Sequence, residues 1–290
     1  MKLYKATIEA KSNFATPLRG DTLFGQICWY IRLLEGEQKL KELLEKYKEK
    51  PFCVVSDGFV TGHLPKPKLP SWRLGEDASK KKENRKRVWL EIGDFFEGAF
   101  TKAKRSDEVA KEKEVEIVRN SINYKTSRTD GADFSPYGVE EYRFGQKDVY
   151  FLMDEVNKEL VKKAFRAIGE DGYGKDKTIG KGRFEIVGFE EFKLPKKSSK
   201  QFMTLSPIYP KGLECKEFYY DIFVRFGKLG MDRATTNPFK KPILFADTAA
   251  AIEFEEERDI GYVGRALSKI ATYEDAVQQG YAIILPTKWE

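Results

Sequence analysis

Residues 154–192 read DEVNKELVKKAFRAIGEDGYGKDKTIGKGRFEIVGFEEF, and this stretch decides the fold. Residues 154–169 are predicted to form a helix, because their apolar side chains recur at helical spacing and form one stripe. Asp154 is a candidate N-cap residue, and Gly169 is a typical stop signal. Residues 184–192 are predicted to form a strand. The stripe on the helix consists of Val156, Leu160, Val161, Ala164, Phe165 and Ile168.

The segment between this helix and this strand, residues 171–183, is called the glycine loop below. Glycine tolerates positive φ and lets another molecule approach the backbone closely. Amides exposed in such loops form anion-binding concavities, and neighbouring lysines add charge for phosphate. The other interpretation, which stays open, is that the glycines only end the helix and form a turn. The candidate anion-binding residues are Gly174, Lys175, Lys177, Thr178, Gly180, Lys181 and Gly182.

Two nucleotide-binding motifs can be excluded in the glycine loop. A Walker loop has the spacing G-x-x-x-x-G-K-[ST], but Gly180 follows Gly174 one residue too late and Gly182 occupies the hydroxyl position. The dinucleotide motif G-x-G-x-x-G fails because Lys177 stands where the third glycine is required. Both motifs also precede a helix, whereas the glycine loop precedes a predicted strand. A nucleotide triphosphatase or a dehydrogenase is therefore not expected.

The composition is that of a soluble globular protein. The chain has 290 residues, of which 41% are hydrophobic and 34% charged, which is enough for two domains with real cores. The net charge of +6 is mild, so a polyanionic partner would need locally concentrated basic residues. Three widely spaced cysteines suggest neither a metal site nor a disulfide framework. Without a signal peptide or a run of about 18 apolar residues, we expect a cytoplasmic protein with no membrane contact.

The order of predicted elements is β-α-β followed by β-α-β. Residues 2–10 alternate as a strand, residues 23–34 carry a second helical stripe, and residues 52–55 and 149–153 are further strands. This order is the ferredoxin-like plan, an α+β fold in which two helices cover a four-stranded sheet. The first domain is predicted to span residues 1–194, with insertions at about 62–114 and 125–142.

A linker leads to a second, strand-rich domain at residues 201–290. Within it, the alternating residues 218–226 are predicted to be one long strand. Residues 242–245 and 281–285 are further strand candidates, and residues 273–279 are a candidate for a short helix.

Catalytic chemistry is hard to assemble from this sequence. His63 is the single histidine, lies in a proline-rich loop, and is the residue that a metal-independent RNase would need near neutral pH. No histidine or cysteine cluster suits zinc. The acidic run at residues 253–259, EFEEERD, could suggest Mg²⁺ ligands, but we favour a solvated face or a docking site for a basic partner. We predict that the protein is not an enzyme and holds no metal or cofactor.

Groups suited to binding RNA occur in three further places. Arg19 and Gly20 precede a predicted helix, whose N-terminus favours phosphate by about 0.3–1 kcal/mol, although simple capping explains them equally well. Phe239 and Lys240 lie in PFKKPI, a rigid turn between two prolines. Residues 119–128, RNSINYKTSR, combine amides that can read bases, a tyrosine that can stack and cations for phosphate, or else are a polar strand entering a hairpin. The candidates in this last segment are Arg119, Asn120, Asn123, Tyr124, Lys125 and Arg128.

Together these segments resemble the RAMP superfamily of CRISPR RNA-binding proteins, whose ferredoxin-like fold carries a glycine-rich loop before its last strand. Within it, the chain closely resembles the family of fourth subunits of type III-A Csm complexes, which cap the 5′ end of the CRISPR RNA (crRNA). The matching stretches follow the expected order over most of the chain. They are residues 14–25 (FATPLRGDTLFG), 64–67 (LPKP), 120–123 (NSIN) with Thr126, 172–182, and 238–243 (PFKKPI).

The resemblance implies tandem ferredoxin-like domains, no nuclease activity, and a grip on the repeat-derived 5′ handle of the crRNA. It implies two protein partners, the large polymerase/nuclease subunit and the repeating backbone subunit. It assigns handle contacts to the glycine loop and to Arg19 and Gly20, and a thumb-like wedge to the hairpin at residues 120–142. The basic run at residues 80–87 matches no motif of the family.

Three functional hypotheses follow from the sequence. The first is a non-catalytic crRNA-binding subunit of a Csm interference complex in antiviral defence. The second is a metal-independent CRISPR repeat RNA endonuclease of the same superfamily, which would use His63 or a tyrosine or lysine substitute. The third is a scaffold that contacts only proteins.

Overall fold

The structure is a computed structural model that describes residues 1–110, 112–129, 135–196, 198–230, 233 and 237–289. Its described α-helices are α1 (Gly20–Glu35), α2 (Glu37–Tyr47), α3 (Lys81–Asn84), α4 (Ile92–Glu97), α5 (Ser106–Val109) and α6 (Lys158–Asp171). Its first eight strands are β1 (Lys2–Ala10), β2 (Cys53–Val60), β3 (His63–Pro65), β4 (Arg87–Glu91), β5 (Lys104–Arg105), β6 (Lys113–Arg119), β7 (Tyr137–Arg143) and β8 (Gln146–Met153). The later strands are β9 (Phe184–Glu191), β10 (Ser199–Thr204), β11 (Glu217–Tyr219), β12 (Ile222–Arg225), β13 (Ile243–Ala246), β14 (Ala251–Arg258), β15 (Tyr262–Leu267) and β16 (Gln278–Pro286).

A four-stranded antiparallel sheet with the order β2-β8-β1-β9 organises the first part of the chain. Helices α1 and α6 pack against each other, with α1 also against β2 and α6 against β9. The buried side chains of α1 include Leu23, Phe24, Ile27 and Ile31, which is the stripe expected from the sequence. The predicted order of β-α-β followed by β-α-β is therefore confirmed for this sheet.

Helix α6 begins four residues later than predicted. Asp154 does not cap it; instead its Oδ1 accepts a hydrogen bond from the backbone N–H of Asn157 at 2.7 Å, which closes a turn before the helix. Val156 belongs to that turn and is 90% exposed, so it lies outside the apolar stripe. The remaining apolar residues of the stripe face the core because they sit within regular helix.

Two insertions interrupt the first sheet. The strands β3, β4 and β5 form a small sheet of their own, and β6 pairs with β7 in a long antiparallel hairpin. Backbone hydrogen bonds in both directions between Phe14 and Tyr142 attach this hairpin to the rest of the chain. Residues 130–134, within the predicted thumb-like insertion, lie outside the described residues.

The second part of the chain forms a five-stranded sheet, β11-β14-β10-β16-β15, and a two-stranded ribbon, β12-β13. The single strand predicted at residues 218–226 is wrong, because the chain changes partners at Tyr220 and Asp221: β11 pairs with β14, and β12 pairs with β13. The helix predicted at residues 273–279 is also wrong, since β16 already begins at Gln278. The described residues of this part contain no α-helix, so a second ferredoxin-like domain stays a prediction.

Strand β16 joins the two parts of the chain. The side chain of Gln279 accepts a hydrogen bond from the N–H of Val55 at 2.9 Å and donates one to its carbonyl at 2.8 Å. The hydroxyl of Tyr281 donates to the carbonyl of Tyr47 at 3.1 Å, at the end of α2. Side chains of both sheets also belong to one buried apolar cluster. The two sheets are therefore packed around a common core.

Among the described residues, no helix combines the length and the apolar character needed to cross a membrane.

Candidate nucleic-acid interface

The N-terminus of α1 is occupied by carboxylates of the protein itself. The N–H of Gly20 donates to Asp57 Oδ1 at 2.7 Å, and the Arg19 guanidinium lies 2.9 Å from Asp57 Oδ2 and 2.9 Å from Asp247 Oδ1. Burial raises the pKa of Asp57 to about 6, and the Arg19 charge opposes that shift. Arg19 and Gly20 thus join the first part of the chain to the turn before β14, and a contact of theirs with RNA stays a prediction.

The glycine loop is folded mainly against its own chain. A Cβ at Gly172 would lie 2.3 Å from the carbonyl oxygen of Lys181, and one at Gly182 would lie 2.1 Å from that of Tyr173. A Cβ at Gly174 would lie 2.7 Å from the Thr16 side chain. Only at Gly180 does the Cβ direction meet open space among the four. The turn interpretation therefore explains three glycines, and Gly180 alone leaves room for another molecule.

The cations of the loop have different environments. Lys175 and Thr178 are exposed, and no ion pair with a carboxylate ties down Lys175 in the described part of the chain. Lys177 is half-buried, with its Nζ 5.5 Å from the centre of the Tyr30 ring, and burial lowers its pKa. Lys181 is committed to the protein, because its Nζ lies 2.6 Å from Oε2 of the buried Glu141.

Glu141 of β7 fixes the hairpin to the glycine loop. Besides Lys181 it accepts hydrogen bonds from Arg119 at 2.6 Å and from Asn13 at 2.9 Å. Arg119 in turn lies 2.7 Å from Asp176 of the loop. Burial alone would raise the pKa of Glu141, but these hydrogen bonds outweigh it and keep the pKa below its ordinary value. Arg119 and Lys181 therefore position the two segments with respect to each other.

The tip of the hairpin presents polar and aromatic groups to solvent. The N–H of Asn123 donates to the carbonyl of Arg128 at 2.9 Å, and its Oδ1 accepts from the N–H of Lys125 at 3.0 Å, which closes a tight turn. Tyr124 is 86% exposed in that turn. Asn120, Lys125 and Arg128 are exposed as well. The structure thus places Tyr124, Lys125 and Arg128 on one exposed turn and Asn120 three residues before it. In such a turn a tyrosine can stack on a base and cations can meet phosphate.

A cavity of about 670 Å³ lies between α1, the glycine loop and a segment that follows β12. This segment, residues 226–230 and 237–240, is called the arm below. It brings Gly174, Lys175 and Lys177 together with Lys240, which lies at the other end of the sequence. Lys240 is half-buried, and burial lowers its pKa. Phe239 lies outside the cavity lining and is covered by the Nζ of Lys228 at 4.9 Å.

A family model described as the RAMP superfamily matches residues 11–185, which include strands β2 and β8 of the first sheet, the hairpin and the glycine loop. The chain belongs to the RAMP superfamily. Its sequence is 30% identical over 217 residues to a protein of Thermococcus onnurineus (strain NA1) named CRISPR system Cms protein Csm4, and the alignment covers 69% of this chain and 72% of the relative. The predicted resemblance to the superfamily and to the fourth Csm subunits is confirmed.

Solved structures of complexes contain chains with the fold of this RAMP. One comes from the crystal structure of a Csm1-Csm4 cassette in complex with AMPPNP, with a TM-score of 0.64, 19% identity, and coverage of 100% of this chain and 99% of that chain. Another comes from a Csm3-Csm4 subcomplex of the type III-A CRISPR-Cas interference complex, with a TM-score of 0.63, 15% identity, and coverage of 99% and 100%. At these identities the likeness establishes the fold.

Sequence reasoning missed several residues of the cavity in this RAMP, two of which matter for its chemistry. Phe226 and Lys228 line it, and Phe226 is 73% exposed. The signal was the alternation of Ile222, Val224 and Phe226, which we assigned to one long strand. In the structure Ile222 and Val224 lie in β12, which forms a two-stranded ribbon with β13, and Phe226 follows directly after it. All three side chains are exposed to solvent.

The remaining candidates lie in the insertion between β2 and β6. His63 begins β3, where its Nδ1 lies 3.0 Å from the carbonyl oxygen of Thr61, and it lies outside the cavity lining. Lys81 and Arg85 of the basic run line a second cavity, of about 560 Å³, together with Pro65, Lys66 and Pro67 of the LPKP motif. Lys66 of that motif is paired with Glu76 at 2.5 Å.

Proposed function

We propose that this RAMP is a non-catalytic crRNA-binding subunit of a type III-A Csm complex that holds the 5′ handle of the guide. The observation that carries the proposal is the ion cluster around Glu141. It fixes the end of β6, from which the exposed turn with Tyr124 and Lys125 continues, to the glycine loop that carries Lys175, and we infer that these stacking and phosphate-binding groups serve one RNA. Such a combination suits single-stranded RNA, whose bases stack and whose backbone is anionic.

We propose the large polymerase/nuclease subunit and the repeating backbone subunit as protein partners. The solved likenesses support two partners, since one neighbour is in a complex with Csm1 and another in a complex with Csm3. The hairpin β6-β7 is proposed as the thumb. The division into tandem domains at residues 1–194 and 201–290 is kept as a proposal, supported by the separate sheets on either side and qualified by their common core.

The proposal is tested by RNA binding as a function of salt. Replacing both Lys125 and Lys175 with alanine is expected to weaken binding of handle RNA, because two phosphate contacts are lost. The slope of log affinity against log salt should become shallower by about 0.7 for each lost contact. Filter-binding titrations at several salt concentrations measure both quantities.

The matched control replaces two lysines that are exposed elsewhere, Lys163 and Lys193. This control should leave both affinity and slope unchanged. If the Lys125 and Lys175 variant binds as the control does, the assignment of this surface to RNA is wrong. Specific cleavage of repeat RNA in EDTA that disappears in His63→Ala would instead establish the endonuclease hypothesis.

A further inference from the structure

The cavity between α1, the glycine loop and the arm has the size of a binding pocket for a small ligand. Its volume of about 670 Å³ lies within the range of about 300–1,000 Å³ that such pockets occupy. Its walls come from distant parts of the chain: Thr22 and Trp29 from α1, Lys177 from the glycine loop, and Phe226 and Lys240 from the arm. A ligand here would contact both parts of the molecule.

The charges on the walls are not balanced inside the protein. Acidic wall residues are already paired: Asp21 lies 2.5 Å from Arg225, Glu37 lies 3.1 Å from Lys41, and Asp275 lies 2.8 Å from Arg233. In the described part of the chain, four wall lysines form no ion pair with a carboxylate. They are Lys175, Lys177, Lys228 and Lys240.

Two of these lysines, one from the glycine loop and one from the arm, are half-buried. Lys177 lies against the Tyr30 ring, and Lys240 donates to Gln278 Oε1 at 3.3 Å. Burial lowers the pKa of both, and the nearby charges of Asp171 and Asp21 oppose this shift without outweighing it. An anion beside these lysines would stabilise their charged form, and phosphate oxygens accept hydrogen bonds from ammonium groups.

Phe226 supplies an aromatic surface at the same cavity. It is 73% exposed, and no other ring or cation covers it among the described residues. Phe239, on the same arm, differs because Lys228 already lies over its ring. An open aromatic ring beside unpaired lysines is the arrangement on which single-stranded nucleic acids stack a base.

We propose that this cavity binds one nucleotide, with its base stacked on Phe226 and its phosphate between Lys177 and Lys240. The proposal rests on the proposed RNA-binding function, in which the nucleotide belongs to the guide RNA. A free nucleotide offers the same chemistry, and the experiment distinguishes the two sources.

The test uses the full chain and 2-aminopurine, a fluorescent base that is quenched when it stacks. A set of handle RNAs carries this base at one position each, and 2-aminopurine riboside monophosphate is the free-nucleotide probe. We expect quenching at one RNA position. Phe226→Ala should remove that quenching and weaken binding by about 5- to 100-fold. The matched control, Trp72→Ala, removes a ring that is 68% exposed and lies outside the cavity lining, and it should retain the quenching.

The outcomes separate this proposal from the proposed function. RNA binding that is unchanged in Phe226→Ala, with no quenched position, overturns the pocket but leaves the RNA-binding function standing. If Phe226 is needed for quenching of the free nucleotide and no RNA binds, the pocket is supported. In that case the nucleotide does not come from the guide RNA. Binding of neither probe overturns both. Loss of binding in Lys177→Ala but not in Lys163→Ala would support the phosphate position.

Discussion

Lys175 and Lys181 lie six residues apart in the same loop, yet they have opposite roles. Lys175 extends into solvent, whereas Lys181 lies 2.6 Å from the buried carboxylate of Glu141. Removing Lys181 would leave Glu141 with fewer donors in a buried position. Because an unsatisfied buried charge is costly, Lys181→Ala is expected to lower the free energy of unfolding by about 1–3 kcal/mol.

Urea denaturation measures this difference directly. Lys175→Ala should leave the denaturation midpoint unchanged, because its side chain is exposed. RNA affinity should respond in the reverse order, since Lys175 is available for phosphate. Equal losses of stability in the two variants would contradict the assigned roles.

The sequence could not distinguish these two lysines. Both lie beside glycines in one loop, and the partner that decides the matter, Glu141, precedes Lys181 by 40 residues. Ion pairs between distant segments leave no local pattern, so the loop could be predicted but the availability of its cations could not. The same holds for Arg19, whose carboxylate partners Asp57 and Asp247 lie 38 and 228 residues away.

At the scale of elements, the glycine loop depends on glycine to different degrees along its length. Gly180 and Gly182 both have positive φ, of 85° and 75°. Of these two glycines, only Gly182 also faces a backbone carbonyl, because a Cβ built there would lie 2.1 Å from the carbonyl oxygen of Tyr173. Gly180→Ala is expected to cost about 1–2 kcal/mol for the left-handed conformation alone. Gly182→Ala should cost more, because the loop must also move away from Tyr173.

Thermal unfolding of the two variants tests this order. Gly93→Ala is a suitable control, since Gly93 lies in α4 with open space around its Cβ direction and no positive φ. It should not lower the melting temperature. A Gly180→Ala variant less stable than Gly182→Ala would mean that the loop is not packed as described.

The elements of the first sheet could be predicted from sequence because their signals are local. Alternation marks β1, and a helical stripe marks α1 and α6. Strand β16 was harder to predict from the sequence, because it is buried along its whole length and therefore lacks an alternation of apolar and polar residues. Its first residues, Gln278 and Gln279, are buried polar side chains whose partners lie more than 200 residues away. The apolar residues 281–285 could be predicted as a strand, but the sequence does not distinguish these first residues from the end of a short helix.

At the scale of the whole molecule, Arg19 holds the two sheets together through Asp57 and Asp247. Near neutral pH, Arg19→Ala would leave the buried Asp57 carboxylate without its charge partner, at a cost of about 3–5 kcal/mol. Burial raises the pKa of Asp57 to about 6, above its ordinary value of 3.8. Its contribution to stability is therefore present at low pH and lost as the pH rises through about 6.

The loss in Arg19→Ala should consequently be smaller at about pH 5 than near neutral pH, because a protonated Asp57 no longer needs a cation. Denaturation of wild type and variant at about pH 5 and about pH 7.5 measures the change. Arg19→Lys keeps the charge and should lose less stability at neutral pH. A loss that is independent of pH would show that Asp57 is not the group that Arg19 stabilises.

Strand β16 also has a consequence for how the protein is made. The first sheet and its helices emerge from the ribosome well before residues 278–286, yet the backbone of Val55 and the carbonyl of Tyr47 bond to side chains of that late strand. Until β16 is synthesised, the nascent first half exposes apolar surface that its final partner will cover. We expect the first half to complete its packing only after β16 has been translated, and to be open to chaperone binding until then.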